Sequence, residues 1–94
     1  MITALDVANT FLARAKKEKI DISPMKLQKL IYILYKNYLK ETKKKLFSDK
    51  FEVWKYGPVI SEVYQAFKEY RSNRITEFYL NKDGSYNTVK LGNN

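Results

Sequence analysis

The chain has no cysteine and no histidine. Without cysteine there is no disulfide scaffold, thiolate nucleophile or zinc ribbon, and without histidine the commonest general base and metal ligand are missing as well. Glycine occurs three times and proline twice in 94 residues, too few for a linker-like or low-complexity chain. None of the glycines forms a G-x-G or Walker-type cradle, which removes the usual phosphate-binding loops. Acidic residues number 10 against 18 Lys plus Arg. They are spread without a D-x-D or E-x-x-H pattern, so no metal-ligand set is offered. No apolar run approaches the length of a membrane span, and Met1-Ile2-Thr3-Ala4-Leu5-Asp6 has neither a basic n-region nor a continuous apolar h-region. The expectation is a cytoplasmic protein, not membrane-bound, not an enzyme and without a cofactor.

What is present describes a foldable domain. Hydrophobic residues make up 45% and aromatics 15%, enough for a core, and the length suits a single domain over 1–94. A chain this short buries only about 60–65% of its unfolded surface. The net charge of +8 points to an anionic partner of some kind.

Thr3 with Asp6 three residues later reads as a capping-box variant opening a helix over about 4–18, with Leu5, Ala8, Phe11, Leu12 and Ala15 as its apolar stripe. Asp6, Asn9, Arg14, Lys16 and Lys17 fall outside it. Ser23-Pro24 starts a second helix, Ser as N-cap and Pro as first helical residue, running to about Glu41. Its core stripe is Leu27, Leu30, Ile31, Leu34 and Tyr38, while Lys26, Lys29, Lys36, Lys40 and Lys43 share a different arc of about 100°. That lysine stripe is either a solvated face or a partner-facing one. Phe51-Glu52-Val53-Trp54-Lys55-Tyr56 reads as a short strand with its aromatic face inward, broken by Gly57-Pro58. A third amphipathic helix follows at once, with Val59, Ile60, Val63, Tyr64, Phe67 and Tyr70 on its apolar arc, and ends near 71–73. Beyond it, runs at 75–80 and 86–91 flank an Asp83-Gly84 turn, predicting a hairpin with Gly84 at positive φ and a frayed end at 92–94. The fold class expected is thus α+β and predominantly helical: three amphipathic helices against a small antiparallel sheet made from 51–56 and the 75–91 hairpin.

Aromatics interleaved with lysines raise the question of nucleic acid. Only three of the cations are arginine, the residue suited to bidentate recognition, and most aromatics fall on core stripes, which makes nucleic acid the weaker reading. Tyr32 and Tyr35 differ, lying between the core and lysine stripes, where a ring can pack its body and present its hydroxyl.

Two strings carry a resemblance. Ile22-Ser23-Pro24-Met25-Lys26-Leu27-Gln28-Lys29-Leu30-Ile31-Tyr32, followed two dozen residues later by Glu52-Val53-Trp54-Lys55-Tyr56-Gly57-Pro58-Val59-Ile60-Ser61-Glu62-Val63-Tyr64, resembles the Panacea domain, the antitoxin domain of SocA/GepA-like bacterial and phage proteins. Val7-Ala8-Asn9-Thr10-Phe11-Leu12 is similar to the family's opening helix, so the likeness covers about 1–70. It implies an antitoxin that neutralises a cognate protein toxin encoded beside it by direct contact. Toxins in the family are of unrelated types and include alarmone-synthetase-like nucleotide pyrophosphotransferases that modify tRNA; one branch acts as a proteolytic adaptor. Family chains commonly continue through further helices, so the expectation is a short or C-terminally truncated member. Ser61 stands where the family often has proline.

Within this frame, the segments expected to face the partner are Lys26, Lys29 and Tyr32 on helix 2 and Trp54, Lys55, Tyr56, Gly57 and Pro58 in the second motif. A lone Trp usually plugs a core, the blander reading of Trp54; for Tyr56 core and contact stand level. A toxin that binds ATP or tRNA keeps a cationic pocket, so a +8 partner is expected to meet an acidic surface instead of mimicking phosphate. The fold reading has a direct check: far-UV circular dichroism should report more than about a quarter helix, and less would contradict three helices.

Overall fold

The computed structural model describes residues 1–90. Helix α1, Ala4–Glu18, begins at a complete capping box: the Asp6 amide donates to the Thr3 hydroxyl and the Thr3 amide to the Asp6 carboxylate. Two N–H groups that a helix leaves orphaned are satisfied reciprocally. Helix α2, Pro24–Thr42, starts as its Ser-Pro pair dictates, with the Lys26 amide donating to Ser23 Oγ at 3.3 Å. Strands β1, Glu52–Trp54, and β2, Gly57–Val59, form an antiparallel pair. Helix α3, Ser61–Phe67, passes into a 3-10 turn at Lys68–Tyr70. The architecture is α+β and predominantly helical, with one small antiparallel sheet.

Three helices and the loops between them share a single core. Val7, Ala8 and Leu12 of α1 pack with Leu27 and Ile31 of α2 and with Ile60, Val63 and Phe67 around α3. Leu46 and Phe47 fold back from the loop after α2 and join it. Phe47 and Phe51 bracket Tyr35 at 4.9 and 5.1 Å between ring centroids, within the range where tilted and edge-on rings attract.

The sheet differs from the expectation. Gly57-Pro58 does not end a strand but begins β2, so 51–56 turns back on itself through Lys55-Tyr56 instead of pairing with 75–91. Neither Lys55 nor Tyr56 has positive φ; Gly57, at φ 123°, supplies it. Pro58 has no N–H to offer and sits opposite Val53, the pair of this register that needs no donor. β2 is the strand that leans on α2 and all three β1 residues are exposed, so of the expected inward aromatic face only Phe51, just before β1, packs inward, against Tyr32 and Tyr35. Helix α3 accordingly starts two residues later than Val59, and the turn at Arg71 follows its short 3-10 end.

Segment 75–90 also departs from a hairpin. Its turn is as expected: the Asn81 amide donates to Ser85 O at 2.7 Å and the Gly84 amide to Asn81 O at 3.0 Å, with Gly84 at φ 88°. The Ser85 hydroxyl and then its amide donate to the Asp83 carboxyl and hold it below its usual range. Yet no ladder joins the flanking runs among the described residues; Leu91 and the expected frayed end at 92–94 lie outside them. The backbone groups a ladder would use go to α1. Asn9 clamps Tyr79, Oδ1 accepting its N–H at 2.8 Å and Nδ2 donating to its C=O at 2.9 Å. The Thr10 hydroxyl accepts from Val89 N at 2.8 Å. Asn9, expected on the exposed side of α1, is therefore buried. Tyr38, expected in the α2 stripe, is exposed, since from Lys36 onward α2 runs past the core.

A second carboxamide does for the two motifs what Asn9 does for the C-terminal segment. Gln28, buried on α2, accepts the Ile60 N–H at 3.0 Å and donates to the Ile60 C=O at 3.1 Å. Gln28→Leu keeps the volume and leaves a buried N–H without a partner, which costs about 1–3 kcal/mol. A thermal melt should therefore fall by roughly 5–20 °C for a domain of this size, while Lys26→Ala, on an exposed side chain, should melt with the wild type.

Candidate functional site

Between α2, α3 and the hairpin lies a groove of about 510 Å³. Its α2 wall is Met25, Lys29, Tyr32 and Ile33, the opposite wall is Val63, Tyr64 and Phe67 of α3 with Arg71 just past the 3-10 turn, and the hairpin closes one side with Trp54, Lys55, Tyr56 and Pro58. Met25, Lys29 and Tyr32 on α2, and Tyr64 and Phe67 on α3, recur at three or four residues, so each helix presents one face to the groove. The Gln28–Ile60 clamp sits at the base, fixing the distance between the walls.

The rings at the lip hold one another in place. Trp54 meets Tyr64 edge-on at 4.8 Å, and its indole N–H donates to Glu52 Oε1 at 2.9 Å. Tyr32 meets Phe51 edge-on at 5.2 Å while Lys36 lies over its ring at 5.5 Å. Lys55 lies over Tyr56 at 5.4 Å. Trp54 is thus no core plug, at 37% exposed, and Tyr56 is 69% exposed. Tyr64, which periodicity places in the core, stands at the lip at 38%: α3 has only seven residues and its buried face narrows to Val63 and Phe67.

The charges at the groove are of one sign. Lys29, Lys55 and Arg71 line it and no Asp or Glu does. Salt bridges among the described residues are confined to Arg14–Glu18 and Arg74–Asp21, so the three rim cations are unpaired there. Arg71 adopts φ 57°, ψ −117°, a backbone region natural to glycine; holding another residue there costs about 1–3 kcal/mol. Among the described residues no group of three or more His, Cys, Asp or Glu side chains comes together to hold a metal, and no helix is long and apolar enough to cross a membrane.

Of the residues singled out from sequence, Lys29, Tyr32, Trp54, Lys55, Tyr56 and Pro58 line this one groove; Lys26 and Gly57 do not. Lys26 contributes its amide to the cap of α2, and Gly57 contributes its φ to the hairpin. Met25, Ile33, Tyr64 and Arg71 were missed. A signal existed for two of them: Met25 and Ile33 are apolar residues on the face of α2 that otherwise carries lysines. Arg71 had none, because its place depends on where α3 stops.

No solved structure matches the chain. It is 35% identical over 82 residues to antitoxin SocA of Caulobacter vibrioides (strain NA1000 / CB15N), an alignment covering 87% of this chain and 44% of that protein. The chain therefore spans less than half the length of this relative. The family described as "Antitoxin SocA-like, Panacea domain" matches residues 27–92, which extends past the two motifs through the segment strapped to α1 and takes in nearly the whole groove. On this match and this identity, the chain belongs to the SocA-like antitoxin family with a Panacea domain.

Proposed function

We propose that the protein neutralises a cognate protein toxin by direct contact, and that the groove between α2, α3 and the hairpin is the contact surface. The observation that carries this reading is the composition of the groove: an apolar floor, rings locked edge-on at the lip, and a rim of cations with no carboxylate among its lining residues. Protein interfaces concentrate their free energy in such places, where aromatic anchors are desolvated and charged groups surround them. The family's antitoxin character supplies the class of partner, and the +8 charge favours an acidic surface on it. A nucleotide pyrophosphotransferase that modifies tRNA is a partner consistent with this, approached at carboxylates and not at its phosphate pocket. The cytoplasm is the compartment proposed for this activity.

Nucleic acid is the second reading, and one observation counts against it. Phe78 and Tyr86, near the cluster of Lys16, Lys19 and Arg74, stack on each other at 4.2 Å, and Lys16 lies 6.0 Å from the Phe78 ring. The stacked faces are engaged within the chain instead of being offered to bases, and Lys16 covers the Phe78 ring as well.

The test is growth rescue on co-expression with the product of the adjacent reading frame, together with the affinity of the purified pair. Tyr56→Ala should weaken binding by roughly 30- to 1000-fold and abolish rescue, with a melting temperature within a few degrees of wild type; Tyr64→Ala should lose rescue too and melt lower, because its ring packs edge-on against Trp54. Tyr32→Ala should lose rescue as well and melt lower, because its ring edge packs on Phe51. Lys43→Ala, outside the groove, should rescue normally. If the tyrosine variants are folded and still rescue, the contact lies elsewhere. Salt provides a separate measurement: the protein complex should weaken only modestly between low and physiological salt, whereas a steep linear loss in log affinity against log salt would identify nucleic acid as the ligand.

A further inference from the structure

The groove is a partner surface of a particular shape, and its shape limits what can occupy it. The α2 wall, Met25 to Ile33, extends over about two turns, roughly 12 Å at 1.5 Å per residue; the opposite wall is the short α3 continued by its 3-10 turn to Arg71, and along both the main-chain groups are largely taken up within the helical turns. On the third side Pro58 has no N–H. An extended segment laid in this channel finds backbone partners at most at the Lys55-Tyr56 turn, so most of its own N–H and C=O groups would be buried unpaired. A helix brings its backbone already satisfied and inserts side chains alone. Two turns of wall match apolar residues at i, i+3 or i+4, and i+7 of an incoming helix.

Charge narrows the occupant further. Lys29 stands on one wall, Arg71 on the opposite one and Lys55 on the hairpin, none in a salt bridge among the described residues. The nearby carboxylate of Glu52 is tied to the Trp54 indole. Resting on the reading of this groove as the toxin contact, we infer that its occupant is an amphipathic helix of the partner protein, with a two-turn apolar stripe flanked on both sides by carboxylates. The strained backbone of Arg71 fits this assignment, since a glycine there would relieve the strain and lose the cation.

The test uses the whole chain as bait for a displayed library of random 16-residue peptides, counter-selected against Met25→Glu, a change at a half-exposed side chain. Trp54, the single tryptophan, stands in the groove and reports binding of synthesised, tryptophan-free hits by its emission. Enriched peptides should carry the helical apolar stripe with flanking Asp or Glu and gain helicity when bound. Lys29→Glu and Arg71→Gly should each weaken them on the order of tenfold, the latter with a melting temperature equal to or above wild type. Hits that are proline-rich, alternating or basic, hits that also bind Met25→Glu, or no groove-dependent hits at all would overturn the inference. So would tighter binding of a single-stranded oligonucleotide or an anionic vesicle, read by the same emission. Toxin rescue separates this failure from that of the underlying reading. If Met25→Glu loses rescue and no acidic helical peptide emerges, the groove remains the contact and its helical occupant is wrong; if Met25→Glu rescues, the groove reading itself falls.

Discussion

A single side chain joins the two sequence motifs into one surface. The Gln28 carboxamide, buried on α2, closes both ends of its hydrogen-bonding capacity on the backbone of Ile60, which is itself fully buried. Ile60 stands at the junction of β2 and α3 and has no side-chain cap of its own to offer the helix. Without the carboxamide, the hairpin and the start of α3 would be held to α2 by non-directional apolar contact alone. Apolar contact sets how much surface is buried, whereas a two-point hydrogen bond sets register and angle. Gln28 itself lines the groove, so the clamp ties its α2 wall to the junction from which the hairpin and α3 run.

Keeping an apolar groove open runs against the hydrophobic effect, and the structure shows how the cost is limited. The lip residues spend part of their surface on each other: Trp54 on Tyr64, Tyr32 on Phe51, and the Lys36 and Lys55 ammonium groups over the rings of Tyr32 and Tyr56. Each contact shields part of a ring while its outer face remains accessible. The like charges of Lys29, Lys55 and Arg71 around the rim keep the patch hydrated and disfavour self-association.

The same device is used twice. Asn9 on α1 holds the Tyr79 backbone as Gln28 holds Ile60, and Thr10 takes the Val89 amide. Two β-prone runs that would otherwise pair with one another are instead fastened to a helix. Carboxamides suit this because one group both donates and accepts, matching the peptide unit it faces. In both places a buried polar residue interrupts a face that hydrophobic patterning describes well, and both were invisible to that patterning.

Local chemistry was legible from the sequence. The capping box at Thr3, the Ser23-Pro24 start of α2 and the positive φ of Gly84 depend on neighbours a few residues away, and all three appear in the structure. The main stripes of α1 and α2 and the membership of Lys29, Tyr32, Trp54 and Tyr56 in one neighbourhood could also be anticipated, because the two motifs contain them. Which strand pairs with which, how far α3 continues, and on which side of the core Tyr64 and Trp54 lie were decided by tertiary structure. Strand pairing is a competition between partners far apart in sequence, and here the two-residue turn at Lys55-Tyr56 and the side chains of α1 capture the backbone groups first. Periodicity reports that a residue has an apolar environment on one side; only the packing of three helices and a hairpin determines whether that side is the core or an open groove.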